Sequence, residues 1–122
     1  MRIFKHKRFS QWARKEGIAD QELRKAVQDM LMGNFEANLG GGLYKKRVPR
    51  KGQGKSSGYR TLIAFKREDR SIFIFGFAKN ERSNIGAIEQ QIFKKLAKDY
   101  LNASPKDLDS LIKIGELFEV TV

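Results

Sequence analysis

The clearest periodic pattern in the chain covers residues 20–33. Apolar side chains recur there at the spacing of one helix face: Leu23, Ala26, Val27, Met30 and Leu31. This spacing is typical of an amphipathic α-helix that packs one side against a core. Asp20 has a side chain suited to an N-cap, and Gly33 is a suitable stop. We therefore predict a helix with a buried apolar face.

Shorter apolar patterns precede this helix. Ile3 and Phe4 form an apolar patch that predicts a first strand. Phe9, Trp12 and Ala13 then fall at helical spacing and predict a first helix. The chain is therefore expected to begin with one strand and two helices.

Three β-rich runs occupy the middle of the chain. The first, Leu43–Val48, follows a triple glycine, and Pro49 ends it or restricts it to a sheet edge. The runs 59–65 and 71–78 are joined by the charged turn 66–70. We predict that they form a hairpin or two neighbouring strands.

The last of these runs is rich in phenylalanine. Simple alternation predicts two apolar faces, with Phe73, Phe75 and Phe77 on one side and Ile72, Ile74 and Gly76 on the other. A strand covered on both faces is typical of a central position in a sheet.

Helical patterns dominate the C-terminal part. Apolar residues mark a long helix: Ile85, Ile88, Ile92, Phe93, Leu96 and Tyr100. Ser104 and Pro105 then have the residue types of an N-cap and a first helical position, and that helix continues to Gly115. Residues 116–122 are expected to form a closing strand. The order of elements predicts an α+β fold, a small antiparallel sheet with two N-terminal helices and a long C-terminal helix packed on it.

Length and composition limit the class of protein. At 122 residues, we expect a single domain over residues 1–122. The absence of cysteine excludes a disulfide framework, a thiolate zinc site and a cysteine nucleophile, and it suits the cytoplasm. No stretch approaches the roughly 20 apolar residues of a membrane span, and no secretory signal pattern is present. We therefore expect a soluble cytoplasmic protein.

Charge is the most unusual property of the sequence. Twenty-five Lys and Arg oppose fourteen Asp and Glu, a net charge of +11, which favours a polyanionic partner. No acidic residue lies between Glu36 and Glu68, and that window contains many bases: Lys45, Lys46, Arg47, Arg50, Lys51, Lys55, Arg60, Lys66 and Arg67. A solvated face would normally mix both signs, so this window indicates a binding surface for a polyanion.

Strand geometry groups some of these bases. Lys45 and Arg47 alternate with Lys46 and are expected on one face, with Arg60 on the partner strand across the loop 50–58. Glycines in that loop would let its backbone approach a phosphate closely, although a merely flexible basic loop is the alternative. The loop matches neither a Walker A motif nor G-x-G-x-x-G, so nucleoside triphosphate binding is not predicted.

A polar cluster, residues 78–82, follows the Phe-rich strand. Its position at the end of a buried strand suits functional side chains, or simply a turn before a helix. The only histidine, His6, lies in a basic run and is expected on the surface. With no cysteine and no clustered carboxylates, neither a metal site nor a cofactor site is predicted, and no G-x-S-x-G motif supports a serine hydrolase.

The basic block and the turn together resemble a known family. The segments are Gly-Gly-Leu43-x-Lys45-x-Arg47, then Gly52-x-Gly54-Lys55-x-x-Gly58-x-Arg60, then Phe77-Ala-Lys79-Asn80-Glu81. They resemble the HigB-like branch of the RelE superfamily of toxins over about residues 20–101, whereas the tail from about residue 103 matches only loosely. The resemblance implies a RelE-like α+β toxin that cleaves mRNA, typically on the translating ribosome.

The same resemblance implies partners. A cognate antitoxin, a helix-turn-helix protein encoded beside the toxin, is expected to silence it. Operator DNA would be bound only through that antitoxin, and no membrane partner is expected. The family's basic residues correspond here to Lys45, Arg47, Lys55, Arg60 and Lys79.

Roles for individual residues follow from metal-free RNA cleavage, in which the 2′-OH attacks the adjacent phosphorus. Arg60 is the candidate for stabilising transition-state charge, and Lys55 and Lys79 are candidates for proton transfer. Glu81 is either a base or part of a structural salt bridge. Further RNA contacts are assigned to Lys45, Arg47, Arg50, Lys51 and Asn80.

Two other functions compete with the ribonuclease. ParE-like relatives share the scaffold but act on DNA gyrase, and a non-catalytic RNA- or ribosome-binding module would use the same charge. The basic block, residues 43–60, and the K-N-E turn, Lys79–Glu81, favour the ribonuclease over gyrase inhibition. The second lacks support because no RNP-type aromatic motif is present.

Overall fold

The computed structural model describes residues 1–50 and 58–121. The strands in these residues are β1 (Arg2–His6), β2 (Ala37–Gly40), β3 (Leu43–Val48), β4 (Tyr59–Lys66), β5 (Arg70–Ala78) and β6 (Leu117–Glu119). The helices are α1 (Lys7–Glu16), α2 (Asp20–Leu31), α3 (Ala87–Asn102) and α4 (Pro105–Lys113). Each predicted helix and strand has a counterpart, and β2 is an additional short strand that its sequence, Ala-Asn-Leu-Gly, did not indicate.

All six strands join one sheet in the order β2-β3-β4-β5-β1-β6. Neighbouring strands are antiparallel except β1 and β5, which pair in parallel with Phe4 opposite Ile72. The predicted α+β fold is confirmed, and this parallel pair is its one departure from an antiparallel sheet. A parallel pair needs a long connection, and most of the chain lies between these two strands.

Helices α1 and α2 cover one face of the sheet. Phe9 and Leu23 are buried in that core with Phe73 of β5. Gly17, with φ of 74°, ends α1, as a left-handed residue commonly does. The predicted N-cap of α2 is wrong by one residue, because Ala19 occupies that position. The Asp20 carboxylate instead accepts a hydrogen bond from Lys5 Nζ at 2.8 Å, which ties α2 to β1.

Helices α3 and α4 pack on the other face. Leu108 of α4 and Leu117 of β6 are buried in one core with Phe4 and Leu62. The predicted start of α4 is confirmed, since the Ser104 hydroxyl accepts from the Asp107 N–H at 3.0 Å. The C-terminal tail is therefore an integral part of this core. None of the helices in the described residues is long and apolar enough to cross a membrane.

A β-bulge in β5 changes the predicted arrangement of its phenylalanines. Leu62 of β4 lies opposite Phe75, but the next residue lies opposite Phe73, so Ile74 is the extra residue. Phe73 packs against Phe9 on the α1 side, with ring centroids 5.2 Å apart. Phe75 stacks on Phe93 of α3 at 4.9 Å. The prediction that Phe73, Phe75 and Phe77 share a face is therefore wrong, because the extra residue reverses the alternation after Phe73.

Candidate functional site

The candidate site begins with a row of three residues across the sheet. Arg47 of β3 lies directly opposite Arg60 of β4, and Arg60 lies opposite Phe77 of β5. Residues opposite one another on neighbouring strands share a face, and here it is the face that carries Leu62 and α3. The structure therefore brings the predicted residues Arg47 and Arg60 together beside an aromatic ring.

Arg60 is buried although it is a cation. Its side chain belongs to a residue only 8% exposed, and its Nη1 has no hydrogen-bond partner among the described residues. Arg47 Nε is likewise buried without a partner in that part of the chain. Burial lowers the pKa of the Arg60 guanidinium, and the positive charge of Arg47 lowers it further. An anion between the two would supply hydrogen bonds and relieve their repulsion.

Glu36 contacts the backbone of β3 beside Arg47. Its carboxylate accepts a hydrogen bond from the backbone N–H of Arg47, beyond the point where β2 stops pairing with β3. Its negative charge opposes the lowering of the Arg60 pKa. Sequence reasoning assigned no role to Glu36, although it is the last acidic residue before the acid-free window.

Lys45 and Lys46 lie on opposite faces, as predicted. Lys45 Nζ donates to Asn84 Oδ1 at 3.0 Å, which connects β3 to the segment after the K-N-E turn. Lys46 is buried on the α2 side, 3.5 Å from an Asp29 carboxylate oxygen. Only Lys45 therefore shares the face of Arg47 and Arg60.

The K-N-E turn borders the same end of the sheet. Lys79 N–H donates to the Gly58 carbonyl, 3.4 Å away, and Glu81 N–H donates to the Ala78 carbonyl at 3.0 Å. The residues Lys79, Asn80 and Glu81 are all exposed. Within residues 1–50 and 58–121, Glu81 forms no ion pair, so the turn presents its side chains to solvent.

Arg50 is not brought to this row. Its guanidinium carbon lies 5.5 Å from the ring centroid of Tyr59, a residue of the core on the α1 side. Both residues line a cleft of about 510 Å³ with Glu16 and Lys25. The predicted site residues Lys51 and Lys55 lie outside the described residues.

Arg82 is the last residue of the polar cluster 78–82, but sequence reasoning assigned it no role of its own. Its guanidinium carbon lies 5.8 Å from the Phe75 ring centroid and 5.5 Å from that of Phe77. Its Nη2 pairs with Glu89 Oε1 at 2.5 Å, and its Nε donates to the Asn84 carbonyl at 3.0 Å. Its place directly after the K-N-E turn was the only signal in the sequence.

The candidate site is thus a cationic, partly aromatic cluster on the face of the sheet that α3 covers, at the end where β4 begins. Arg47 and Arg60 have the charge and the donors that suit a phosphate, Lys45 shares their face, and Lys79 lies on the turn at the same end of the sheet. In the parts of the chain that the structure describes, no group of three or more His, Cys, Asp or Glu could hold a metal ion.

Comparison with known families identifies the chain at family level. The family model for the RelE toxin of the RelE/RelB toxin-antitoxin system matches residues 1–120. That range includes the tail for which the motif resemblance was loose. Among curated proteins, none matches this sequence. Because the match covers nearly the whole chain, this protein belongs to the RelE family of toxins of toxin-antitoxin systems.

Proposed function

We propose that this toxin is a metal-independent endoribonuclease that cleaves mRNA on the ribosome and so inhibits translation. The observation that carries the proposal is the Arg47–Arg60 pair, two neighbouring cations whose buried nitrogens lack partners among the described residues. A buried unpaired donor costs about 1–3 kcal/mol. A phosphodiester of single-stranded RNA has the charge and the acceptor oxygens to satisfy both residues.

The proposed reaction uses the RNA's own nucleophile. The 2′-oxygen forms a bond to phosphorus while the bond from phosphorus to the 5′-oxygen breaks, giving a 2′,3′-cyclic phosphate and a 5′-OH. Arg60 stabilises the extra negative charge on the phosphoryl oxygens, with Arg47 beside it. Burial strengthens this effect because water screens the charges less.

Two protons must move in this reaction. A base takes the proton of the 2′-OH, and an acid donates one to the departing 5′-oxygen. From the sequence we assign these transfers to Lys55 and Lys79, with Glu81 as the alternative base. Lys79 and Glu81 lie on the turn beside Gly58, near the start of β4 that carries Arg60.

The remaining cations would guide the RNA strand. Lys45 shares the face of Arg60, and Asn80 lies on the exposed turn, so both suit contacts next to the cleaved phosphate. Arg50 stacks on Tyr59 on the other face and would contact a more distant part of the strand. We propose Lys51 as a further RNA contact on the basis of the sequence alone.

The same cationic surface suggests the partners of the toxin, which we propose to act in the cytoplasm. We propose that the cognate antitoxin covers or distorts the cationic face with acidic side chains, and that operator DNA is reached only through that antitoxin. The ribosome, whose RNA is a polyanion, would bind the same charge. Gyrase inhibition is the rival activity, but it would not require paired arginines aimed at a phosphate.

A substrate with one 2′-deoxy sugar at the cleavage site tests the reaction. We expect it to bind but resist cleavage, because only the attacking oxygen is missing. The all-ribose control should be cut in the presence of EDTA, with ribosomes kept intact, and should yield 2′,3′-cyclic phosphate ends. Efficient cleavage of the 2′-deoxy substrate would overturn the mechanism.

A further inference from the structure

We propose that Arg82 forms a nucleobase-stacking site beside the phosphate site, with one RNA base lying flat on its guanidinium plane. This inference rests on the proposed function and adds a second element of substrate recognition. Arginine planes are known to stack on bases, as aromatic rings do. The chemistry around Arg82 suits stacking rather than phosphate binding.

The edges of the Arg82 guanidinium are already engaged. Its Nε donates to the Asn84 carbonyl at 3.0 Å, and its two terminal nitrogens donate to the two Glu89 oxygens at 3.3 and 2.5 Å. Glu89 also neutralises the charge of Arg82. These contacts distinguish Arg82 from Arg60, whose Nη1 has no partner among the described residues. A phosphate would have to displace Glu89 to reach Arg82.

The Arg82 side chain lies beside two aromatic rings of β5 and is partly exposed. The guanidinium carbon of Arg82 lies 5.8 Å from the ring centroid of Phe75 and 5.5 Å from that of Phe77. The Arg82 side chain is nevertheless 36% exposed. Part of the Arg82 side chain is therefore accessible to a ligand. A base that stacks there would complete a three-layer arrangement of ring, guanidinium and base.

Phe77 places this platform next to the reacting phosphate. It lies opposite Arg60 in the sheet, and its ring centroid lies 5.5 Å from the Arg82 guanidinium carbon. Neighbouring strands are about 4.8 Å apart. Phe77 is therefore one strand away from Arg60, so a nucleotide whose phosphate contacts Arg60 has its own base, or that of its neighbour, within reach of Arg82.

Hydrogen bonds also connect Arg82 to the chain around it. Glu89 Oε1 accepts from the Gly86 N–H at 3.0 Å and so connects Arg82 to the start of α3. Asn84, which accepts from Arg82, also accepts from Lys45 through its side chain. A guanidinium held on three sides loses little conformational freedom when a base stacks on it.

Two substitutions separate the plane of Arg82 from its charge. Arg82→Lys keeps the charge but removes the plane, whereas Arg82→Tyr keeps a plane and removes the charge. Each variant is tested on mRNA bound to ribosomes, with an intact base or an abasic sugar at one of the two nucleotides flanking the cut. The measured quantity is kcat/KM, with thermal unfolding as the check that each variant folds.

We expect Arg82→Lys to lower kcat/KM on the intact substrate by about 5- to 100-fold, the range typical of one stacked base. On one of the two abasic substrates, wild type and Arg82→Lys should cleave equally, and Arg82→Tyr should recover most of the loss on the intact substrate. An equal loss on intact and both abasic substrates would overturn the stacking site and leave a structural role. If wild type cleaves none of these substrates, the proposed function itself fails.

Discussion

Arg47 and Arg60 lie directly opposite each other on β3 and β4, each with a buried guanidinium nitrogen that no other described residue satisfies. Like charges in this position destabilise a sheet. An arrangement that costs stability in the free protein is typical of a binding site, where the ligand supplies the missing contacts. We therefore expect a substitution in this pair to affect the cleavage rate and the free energy of unfolding in different ways.

Replacing Arg60 by Gln should separate these two properties. We expect the cleavage rate to fall by about 100-fold or more, the effect of losing one preorganised charge-stabilising group. The free energy of unfolding should stay the same or rise by about 1 kcal/mol, because a buried cation beside Arg47 is removed. Cleavage assays and urea titrations measure the two quantities.

Arg67→Gln is the matched control for this charge change. Arg67 is exposed in the turn at the opposite end of β4, so its substitution should leave cleavage nearly unchanged. Lys46→Ala should destabilise the fold by removing the contact with Asp29, yet cost far less activity in the folded protein. A folded Arg60→Gln variant with full activity would contradict the role assigned to Arg60.

RNA binding should depend strongly on salt. Each phosphate that a cation neutralises releases counterions, so the logarithm of affinity falls with the logarithm of salt concentration. We expect Lys45→Gln to reduce the magnitude of that slope by about one, as for one lost phosphate contact. Lys113→Gln, an exposed position on α4 that packs near β6 at the far edge of the sheet, should leave the slope unchanged. A salt-independent affinity would remove the electrostatic basis of binding.

The antitoxin should compete for the cationic face. We expect co-expression of the neighbouring small gene to restore growth and its product to co-purify with the toxin. Association should weaken at high salt, because salt screens the proposed contacts between acidic antitoxin side chains and this face. Complex formation should also block RNA binding in a titration. A neighbour that neither restores growth nor co-purifies would contradict the proposed inhibition.

Acid should weaken the contact between β1 and the C-terminal strand. Arg2 donates to both Glu119 oxygens, at 3.0 and 2.9 Å, and this holds the pKa of Glu119 below its ordinary value of 4.5. A lowered folded-state pKa stabilises the protein above the unfolded value, and that contribution is lost as pH falls through the folded one. Glu119→Gln should therefore reduce stability at neutral pH, by under about 1 kcal/mol for such an exposed pair.

Urea titrations at neutral pH and near pH 3 test this, because unpaired carboxylates are largely protonated at the lower value. The difference between wild type and Glu119→Gln should shrink on acidification. A difference that stays constant across this range would show that the Arg2–Glu119 contact contributes nothing to the pH dependence.

Local patterns in the sequence determined most of the elements. The apolar spacing of residues 20–33 and the residue types Ser104 and Pro105 depend only on neighbours along the chain, and both helices are present, although α2 begins with Ala19 rather than Asp20 as its N-cap. The acid-free window, residues 37–67, likewise indicated that Arg47 and Arg60 belong to one cationic region. These features can be predicted from the sequence because helix periodicity, capping and charge composition are local properties of the chain.

Tertiary structure alone decided how these elements meet. The bulge at Ile74 moved Phe75 and Phe77 to the α3 face, since one extra residue reverses every later side chain of a strand. The roles of Glu36 and Arg82 depend on contacts with residues distant in sequence or across a turn, which no periodic pattern records. Composition indicated a polyanionic partner, whereas strand register decided that Arg47 and Arg60 lie opposite each other, because register pairs side chains of strands that can be far apart along the chain.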